Sequence, residues 1–167
     1  MKPVIIDNFI DQDSLDTLKS VMLSGGFSWG FSDAVDFPDD KDKFQFFHSF
    51  YKEESGPSSF FYSLLDPILR KIKHKELYRI KANLITRTSK IVINSFHQDI
   101  SHNMGVIPYT TAIFYINTND GYTVFEDGTK EESVANRFIS FPETTKHRGT
   151  SCTNEKVRVV INFNYLT

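Results

Sequence analysis

The sequence lacks the features of a secreted or membrane-embedded protein. Its 167 residues include a single cysteine, Cys152, so no disulfide can form within the chain. No apolar run approaches the roughly 18 residues that a membrane-spanning helix needs, and the N-terminus turns polar at Asp7, too early for a signal peptide. We therefore expect a cytoplasmic protein without a membrane partner.

The chain also lacks an excess of either charge. Lys and Arg number 19, Asp and Glu number 21, and the two signs are interspersed, for a net charge of −2. A surface that binds nucleic acid needs concentrated positive charge, so nucleic acid is not an expected partner. Repeats, low-complexity tracts and linkers are missing too. We expect one domain, residues 1–167, large enough to form its own core.

Helical and irregular patterns occupy residues 1–76. The first predicted helix is capped by Asp13 or Ser14, and its apolar residues fall on one face. A second helix is predicted to start at Ser58 or soon after, and Pro67 within it predicts a kink or a fresh start. These helices are expected to support the rest of the fold.

Between the two helices, residues 27–57 are rich in aromatic side chains and contain an acidic stretch from Asp33 to Asp40. The segment is predicted to be irregular. Long irregular segments in a compact domain are often functional, so it is a candidate lid for substrate recognition. The alternative is that its phenylalanines only cover the outside of a sheet.

A β pattern replaces the helical one in residues 77–167. Short segments rich in β-branched and aromatic residues are separated by turn residues. The predicted strands are Tyr78–Thr86, Ile91–His97, Tyr109–Thr118, Tyr122–Glu126, Ser133–Phe141 and Val157–Tyr165. Many short strands in succession favour a sandwich or barrel over βαβ units. We predict a mainly β fold, a jelly roll with the N-terminal helices packed on one side.

The last predicted strand has one apolar and one polar face. The apolar face carries Val157, Val159, Ile161, Phe163 and Tyr165, and the opposite face carries Arg158, Val160, Asn162 and Asn164. Buried polar groups need partners. The polar face therefore lines a barrel that holds something polar, or it faces solvent.

His97-Gln98-Asp99 is a candidate half of a metal site. Residues i and i+2 of a strand point to the same side, so His97 and Asp99 can converge on one ion. His147 follows a later strand and can approach from across the barrel. Two imidazoles and one carboxylate form the facial triad of non-haem Fe(II) oxygenases, which leaves three positions open. A structural zinc site would need a fourth protein ligand, usually cysteine.

Other polar residues compete for these roles but fit them less well. His102 lies near the triplet but is expected in a loop, and His48 and His74 fit structural or solvated roles. Arg158, a few residues beyond His147, offers a guanidinium clamp for a ligand carboxylate, and Lys156 is the alternative anchor. Cys152 has no visible base partner and is expected to be inert.

Five segments resemble the 2-oxoglutarate- and Fe(II)-dependent dioxygenases, in particular the small viral and bacterial members of the prolyl 4-hydroxylase-like branch. They are Phe96-His97-Gln98-Asp99, Tyr115-Ile116-Asn117, Gly121-Tyr122-Thr123-Val124-Phe125, Lys146-His147-Arg148-Gly149 and Arg158-Val159-Val160-Ile161-Asn162. The resemblance covers about residues 80–165, and it implies a double-stranded β-helix.

The resemblance also implies cofactors and a reaction. Fe(II) would be held by His97, Asp99 and His147, and 2-oxoglutarate would chelate the iron. Its far carboxylate would pair with Arg158. O2 would be consumed, succinate and CO2 released, and a peptide, protein or small-molecule substrate hydroxylated.

Two further residues belong to the same expectation. Tyr115 matches a position that hydrogen-bonds the far carboxylate of 2-oxoglutarate in related hydroxylases. Asn162 shares a strand face with Arg158 and is predicted to line the pocket.

Two departures from the family pattern concern specificity. Many prolyl 4-hydroxylases have lysine where this chain has Arg158, which questions prolyl specificity rather than cofactor binding. Gly121-Tyr122 replaces the usual paired glycines. Two other hypotheses stay open: a non-catalytic jelly-roll binding module, and a cupin-like metalloenzyme that does not use 2-oxoglutarate.

Overall fold

A computed structural model describes residues 2–35, 43–100 and 108–167 of the chain. Over these residues eleven strands form: β1 Val4–Ile6, β2 Gly30–Ser32, β3 Gln45–Lys52, β4 Gly56–Pro57, β5 Glu76–Thr86, β6 Tyr109–Tyr115, β7 Tyr122–Phe125, β8 Lys130–Glu132, β9 Phe138–Pro142, β10 His147–Gly149 and β11 Val157–Leu166. The helices are α1 Gln12–Met22, a short 3-10 helix Tyr62–Leu65, and α2 Asp66–Leu69.

The strands form two antiparallel sheets. The large sheet has the order β1-β9-β6-β11-β5-β3-β2, with β4 paired to β3, and the small sheet has the order β10-β7-β8. Side chains of β5, β6 and β11 and of β7 and β10 line one cavity between the sheets. This arrangement confirms the predicted jelly roll, a mainly β fold with helical support.

Helix α1 confirms the first predicted helix, although its cap is Asp11 rather than Asp13 or Ser14. The backbone N–H of Ser14 donates to Asp11 Oδ1 at 2.8 Å, and the Ser14 hydroxyl donates to Oδ2 at 2.8 Å. Three side chains of the helix, Leu15, Leu18 and Met22, are buried. An N-cap side chain accepts from a free N–H two or three positions later, and the Ser14 N–H that Asp11 accepts is one of these groups.

The second predicted helix is broken, as Pro67 suggested. The 3-10 helix ends at Leu65, and α2 starts at Asp66 with Pro67 in its first turn. Proline fits there because the first N–H groups of a helix have no partner within it.

The prediction that residues 27–57 are irregular was wrong, because β2, β3 and β4 lie within this range. Strand β3 pairs with β5 over most of its length. Phe46 and Phe50 pack on the core, whereas Gln45 lines the cavity. Aromatic residues on both faces of β3 hide the alternation that identifies a strand. Residues 36–42, which include most of the acidic stretch, lie outside the described residues.

Four predicted strands are shorter than expected. β6 ends at Tyr115 and β7 at Phe125 instead of residues 118 and 126, and two others differ more. Residues 91–97 make only isolated bridges, at Ile93 and His97, and β9 begins at Phe138 instead of residue 133. Asn136 explains the second difference. It has a φ of 66°, and its carboxamide accepts from the Ile10 N–H at 2.9 Å and donates to the Ile10 carbonyl at 2.8 Å. The segment before β9 therefore anchors the N-terminal chain instead of extending the sheet.

Strand β11 separates two apolar clusters. Its apolar face, with Val159, Ile161 and Phe163 fully buried, packs in the main core. Its other face places Arg158 and Asn162 on the cavity. The alternation read from the sequence is confirmed, and the polar face is the one that lines a barrel. None of the helices within the described ranges combines the length and apolar character required to cross a bilayer.

Tyr165, at the end of β11, gives a test of core burial. Burial raises the pKa of Tyr165 to about 12 from the ordinary 10.0. The pKa of Tyr165 is higher in the folded state than in the unfolded state. The contribution of the buried, neutral side chain to the free energy of unfolding is therefore fully present below about pH 10 and is lost as the pH rises towards 12. A two-unit shift corresponds to about 2 to 3 kcal/mol. Urea unfolding at several alkaline pH values should show that Tyr165→Phe is less sensitive to pH than the wild type by about this amount. Identical pH dependence of the two proteins would contradict the prediction.

Candidate metal centre

Two histidines are placed side by side by an isolated backbone bridge between residue 97 and strand β10. The His97 N–H donates to the His147 carbonyl at 3.0 Å, and the His147 N–H donates to the His97 carbonyl at 3.1 Å. The two imidazole rings lie 4.6 Å apart between centroids. Main-chain hydrogen bonds therefore bring His97 and His147 together, as predicted for a histidine that approaches from across the barrel.

Asp99 completes a cluster of three donors. Its Oδ1 lies 3.7 Å from His97 Nε2 and 3.9 Å from His147 Nε2, and one ligand atom from each residue lies within 4.8 Å of the others. Donors that share an ion, each about 2.1 Å from it, lie about 3 to 4 Å apart. The oxygen of Asp99 is therefore placed to share an ion with either histidine.

The imidazoles have the orientation that metal ligands need. Nδ1 of His97 faces the Ser95 carbonyl at 3.3 Å, and Nδ1 of His147 faces the Thr145 carbonyl at 3.3 Å. A proton on each Nδ1 leaves the Nε2 lone pairs directed at the cluster. Nε2 of His147 is buried, and no group in residues 2–35, 43–100 and 108–167 forms a hydrogen bond with it. Such an atom fits a metal ion, which would satisfy it.

Burial keeps His147 in its ligand form. Removal from solvent lowers the pKa of His147, and this effect exceeds the opposing effect of the Asp99 carboxylate. Neutral imidazole is the form that binds metal. The burial of Asp99 by itself raises the pKa of its carboxyl, but the close contacts with the His97 and His147 imidazoles and the nearby charge of Arg79 hold that pKa well below its usual range.

A polar network behind Asp99 was not predicted from the sequence. Asn164 on β11 donates through Nδ2 to Asp99 Oδ2 at 3.2 Å and to Thr111 Oγ1 at 3.1 Å. Arg79 on β5 lies 3.5 Å from Asp99 Oδ1 and donates through Nε to Asn164 Oδ1 at 3.2 Å. With Oδ2 engaged by Asn164, Oδ1 is the oxygen turned to the histidines. The polar face of β11 was the sequence signal for Asn164.

Replacing Asn164 by leucine is expected to lower Mn(II) affinity about 10- to 100-fold, as loss of a residue that orients a metal ligand typically does. Mn(II) binding followed by electron paramagnetic resonance would measure it. Thr111→Val is the matched control, because it leaves the Asn164–Asp99 hydrogen bond in place and should have a smaller effect. Wild-type affinity in Asn164→Leu would show that this bond does not orient Asp99.

The triad lies on a cavity of about 530 Å³ between the sheets. Arg158 lines the same cavity with only 3% of its surface exposed. It donates through Nε to Ser133 Oγ at 2.8 Å and through Nη2 to Thr123 Oγ1 at 3.1 Å. Neither partner carries charge, and no carboxylate of the described residues forms an ion pair with Arg158. A buried guanidinium without an acidic neighbour is a site for an anionic ligand.

Two glycines make room for Arg158. A Cβ on Gly121 would lie 2.7 Å from Arg158 Cδ and 2.6 Å from the Ser151 carbonyl oxygen, and one on Gly149 would lie 3.2 Å from Arg158 Nη1. Any other residue at position 121 would displace the arginine or the backbone. Gly121 therefore keeps the place that the family pattern gives it, although Tyr122 replaces the second glycine.

The other two expected cofactor residues differ in position. Asn162 lines the cavity, and its buried Oδ1 finds no hydrogen-bond partner in the part of the chain that the structure describes. Tyr115 is fully buried and donates through its hydroxyl to Thr123 Oγ1 at 2.8 Å. Because Thr123 also accepts from Arg158 and lines the cavity, it connects Tyr115 to the arginine. Thr123 was quoted in the family motif but was not predicted as a site residue.

The residues considered as competitors lie elsewhere or have structural partners. His48 contacts the Ser28 carbonyl at 2.7 Å and Ser59 Oγ at 2.6 Å, so it is held as part of the fold. Lys156 is exposed. Cys152 is buried, and burial raises the pKa of its thiol. His102 lies outside the described residues.

Comparison with known proteins gives structural neighbours only. No protein-family model matches the sequence, and no curated protein matches it. Solved structures do match, and their identities of 9 to 14% establish the fold alone. The chain has the fold of the 2-oxoglutarate- and Fe(II)-dependent oxygenases.

Three neighbours illustrate the range of this fold. The viral collagen prolyl hydroxylase of Paramecium Bursaria Chlorella virus-1, in complex with 2-oxoglutarate, has a TM-score of 0.62 and 14% identity, over 100% of this chain and 97% of that one. A Pseudomonas putida prolyl-4-hydroxylase has a TM-score of 0.63 and 9% identity, over 99% and 92%. The non-heme alpha-ketoglutarate-dependent carbocyclase SnoK of nogalamycin biosynthesis has a TM-score of 0.65 and 12% identity, over 98% and 79%. These neighbours differ in reaction, so the fold does not identify a substrate.

Proposed function

We propose that this protein is an Fe(II)- and 2-oxoglutarate-dependent oxygenase that hydroxylates its substrate, with residues 1–167 as one oxygenase domain. One observation carries the proposal. A His-Asp-His cluster and a buried arginine that pairs with no carboxylate of the described residues line the same cavity. The first group is suited to a redox metal, and the second to a carboxylate. 2-Oxoglutarate carries both a metal-chelating keto acid and a separate carboxylate.

The spacing of the two groups supports this assignment. Arg158 Nη1 lies beside Gly149, which follows His147 by two residues on β10. Two residues of a strand span about 7 Å, which is comparable to the length of 2-oxoglutarate. The cavity can therefore hold the co-substrate with its keto acid at the triad and its far carboxylate at Arg158.

Each polar residue has a defined task in this proposal. His97, Asp99 and His147 would hold Fe(II) on one face and leave three positions for ligands. Thr123 and Ser133 fix the guanidinium of Arg158, so its planar fork is set before the carboxylate arrives. Tyr115 would act through Thr123, and Asn162 would offer its unpaired carboxamide to the co-substrate.

Iron and 2-oxoglutarate would supply the oxidising chemistry: O2, 2-oxoglutarate and a substrate C–H group give succinate, CO2 and an alcohol. The protein contributes a chamber for it. Apolar side chains of Ile113 and Val160 line the cavity together with the polar groups. The substrate would be a prolyl or other peptide, a protein side chain, or a small molecule.

The experiment is an assay of succinate release from 2-oxoglutarate with Fe(II), ascorbate and O2. We expect a slow Fe(II)-dependent turnover in wild type, even without a primary substrate, and none in His97→Ala. Equal succinate release by the two proteins would refute the proposal. Mass spectrometry of candidate peptides and metabolites for a gain of one oxygen would then identify the substrate.

A further inference from the structure

We propose that a stack of Arg148 on Phe96 positions His97 for metal binding. Neither of the two stacked residues belongs to the His-Asp-His cluster. The inference rests on the proposed function, because it concerns how one of the three candidate iron ligands is aimed at the ion. It makes Arg148 a positioning residue, which acts on His97 through a bulge in the backbone.

The chain before His97 has one residue more than the strand beside it. Ile93 forms an antiparallel bridge with Thr150. His97, four positions after Ile93, bridges His147, which lies only three positions before Thr150. The surplus residue makes this pairing a β-bulge. Bulges are common beside active sites, where they redirect a side chain or end a ladder.

Ser95 and Phe96 are the two residues of the bulge that oppose the single residue Arg148. The Asn94 N–H, at the far side of the bulge, donates to the Gly149 carbonyl at 3.0 Å. In a ladder without the surplus residue, Ser95 would pair with Gly149 instead. The bulge therefore leaves the backbone of Ser95 out of the ladder.

The released Ser95 carbonyl orients the imidazole of His97. Its oxygen lies 3.3 Å from His97 Nδ1. A carbonyl within the ladder points along the sheet towards the neighbouring strand, so it could not reach a side chain of its own strand. A proton on Nδ1 that faces this oxygen leaves the lone pair of Nε2 for a metal ion. The direction of His97 therefore depends on the shape of the bulge.

The side chain of Arg148 holds the bulge from the opposite strand. Its guanidinium carbon lies 4.1 Å from the ring centroid of Phe96, which is a close cation–π contact. Nε of Arg148 is buried, and it has no hydrogen-bond partner within the described ranges. Nor does Arg148 form an ion pair with any carboxylate of those ranges. The stack on Phe96 therefore fixes the guanidinium, and it ties the bulge to β10.

Mn(II) titrations followed by electron paramagnetic resonance test the stack. Arg148→Met and Phe96→Leu should each lower Mn(II) affinity about tenfold, the lower end of the range for loss of a group that orients a metal ligand. The double variant should bind Mn(II) no more weakly than either single variant, because both side chains act through one contact. Arg148→Lys keeps a cation over the ring and should retain most of the wild-type affinity.

Lys130→Met is the matched control for these variants. Lys130 Nζ lies 4.9 Å from the ring centroid of Tyr122 in the same sheet, so the variant removes a contact of the same kind outside the cavity. Its Mn(II) affinity should equal that of the wild type. Wild-type affinity in Arg148→Met, an equal loss in Lys130→Met, or additive losses in the double variant would overturn the inference.

Amide hydrogen exchange in the metal-free protein tests the stack without any metal. The His97 N–H closes the bulge through its 3.0 Å bond to the His147 carbonyl. Arg148→Met should speed the exchange of this N–H about fivefold, because the contact that holds the bulge is lost. The Phe125 N–H, which donates to the Thr129 carbonyl at 2.9 Å, should keep its wild-type rate. Unchanged exchange at His97, or an equal increase at Phe125, would contradict the role of the stack.

The two measurements separate this inference from the proposed function. If the wild type binds no Mn(II), the metal centre of the proposed function is refuted, and the exchange rates alone decide whether the stack holds the bulge. If the wild type binds Mn(II) and Arg148→Met matches it in both measurements, the proposed function stands and the role of the stack is refuted. Circular dichroism checks the fold of each variant, and Arg148→Gln replaces Arg148→Met if the latter does not fold.

Discussion

Replacing Arg158 by methionine is expected to raise the Kd of 2-oxoglutarate for the Mn(II)-loaded protein by roughly 30-fold to several thousand-fold. Removing one partner of a buried charged pair costs about 2 to 5 kcal/mol, and each 1.4 kcal/mol is about tenfold in affinity. Arg158 is 3% exposed, and its hydrogen-bond partners within the described part of the chain are the hydroxyls of Ser133 and Thr123. The carboxylate of the ligand would therefore lose its one charged contact there. Isothermal titration with 2-oxoglutarate measures the change.

Two further variants test whether the change in the Kd of 2-oxoglutarate is specific to Arg158 and whether it depends on charge or on geometry. Lys156→Met removes the exposed lysine two residues before Arg158 and should leave the Kd of 2-oxoglutarate unchanged. Arg158→Lys should give an intermediate Kd, because lysine retains the charge but loses the bidentate fork. Mn(II) affinity should be the same in all of them. A metal-dependent activity that survives Arg158→Met with unchanged co-substrate affinity would instead favour the cupin-like alternative.

Replacing His147 by alanine is expected to lower Mn(II) affinity by about 100-fold or more, since loss of an outer partner of a ligand already costs about 10- to 100-fold. The buried Nε2 of His147 has no hydrogen-bond partner among the described residues, so a metal ion is the contact for which it is placed. Mn(II) titration and the metal-induced rise in Tm measure the effect. We expect that rise to be lost along with the affinity.

His74→Ala is the matched control for His147→Ala. His74 is half-buried, and its Nδ1 contacts the carbonyl of Ile72 at 3.1 Å, away from the cavity. Its removal should leave Mn(II) affinity unchanged. If His147→Ala bound Mn(II) as well as His74→Ala, the His-Asp-His cluster would not be the metal site.

Local sequence rules predicted the parts of the site that depend on strand geometry. The spacing of His97 and Asp99 predicted that both side chains point to one side, and the alternation in β11 predicted which residues share a face with Arg158. The second feature follows from the two-residue repeat of a strand. His97 and Asp99 do converge, but residues 97–99 form an isolated bridge and a bend rather than a strand. The structure brings His97, Asp99, His147 and Arg158 to one cavity.

Contacts between distant parts of the chain could not be predicted in the same way. Asn164 meets Asp99 from 65 positions away, and no local pattern encodes that distance. Thr123 contacts Arg158 from the small sheet for the same reason. The segment 91–97 is rich in β-branched residues, yet it lacks a strand partner and makes only two isolated bridges. Strand propensity predicts a strand only where a neighbouring strand is available.

The position of Asp99 between the sheets has a consequence for the lifetime of the protein. Asp99 is hydrogen-bonded to Asn164 on β11 of the large sheet, whereas His147 belongs to β10 of the small sheet. An ion held by both is a bridge between the two layers of the jelly roll. A ligand that binds only the folded state at about 100 times its Kd stabilises that state by about 2.7 kcal/mol. The supply of iron would then govern resistance to proteolysis as well as turnover, and the protein would be degraded fastest where the metal is scarce.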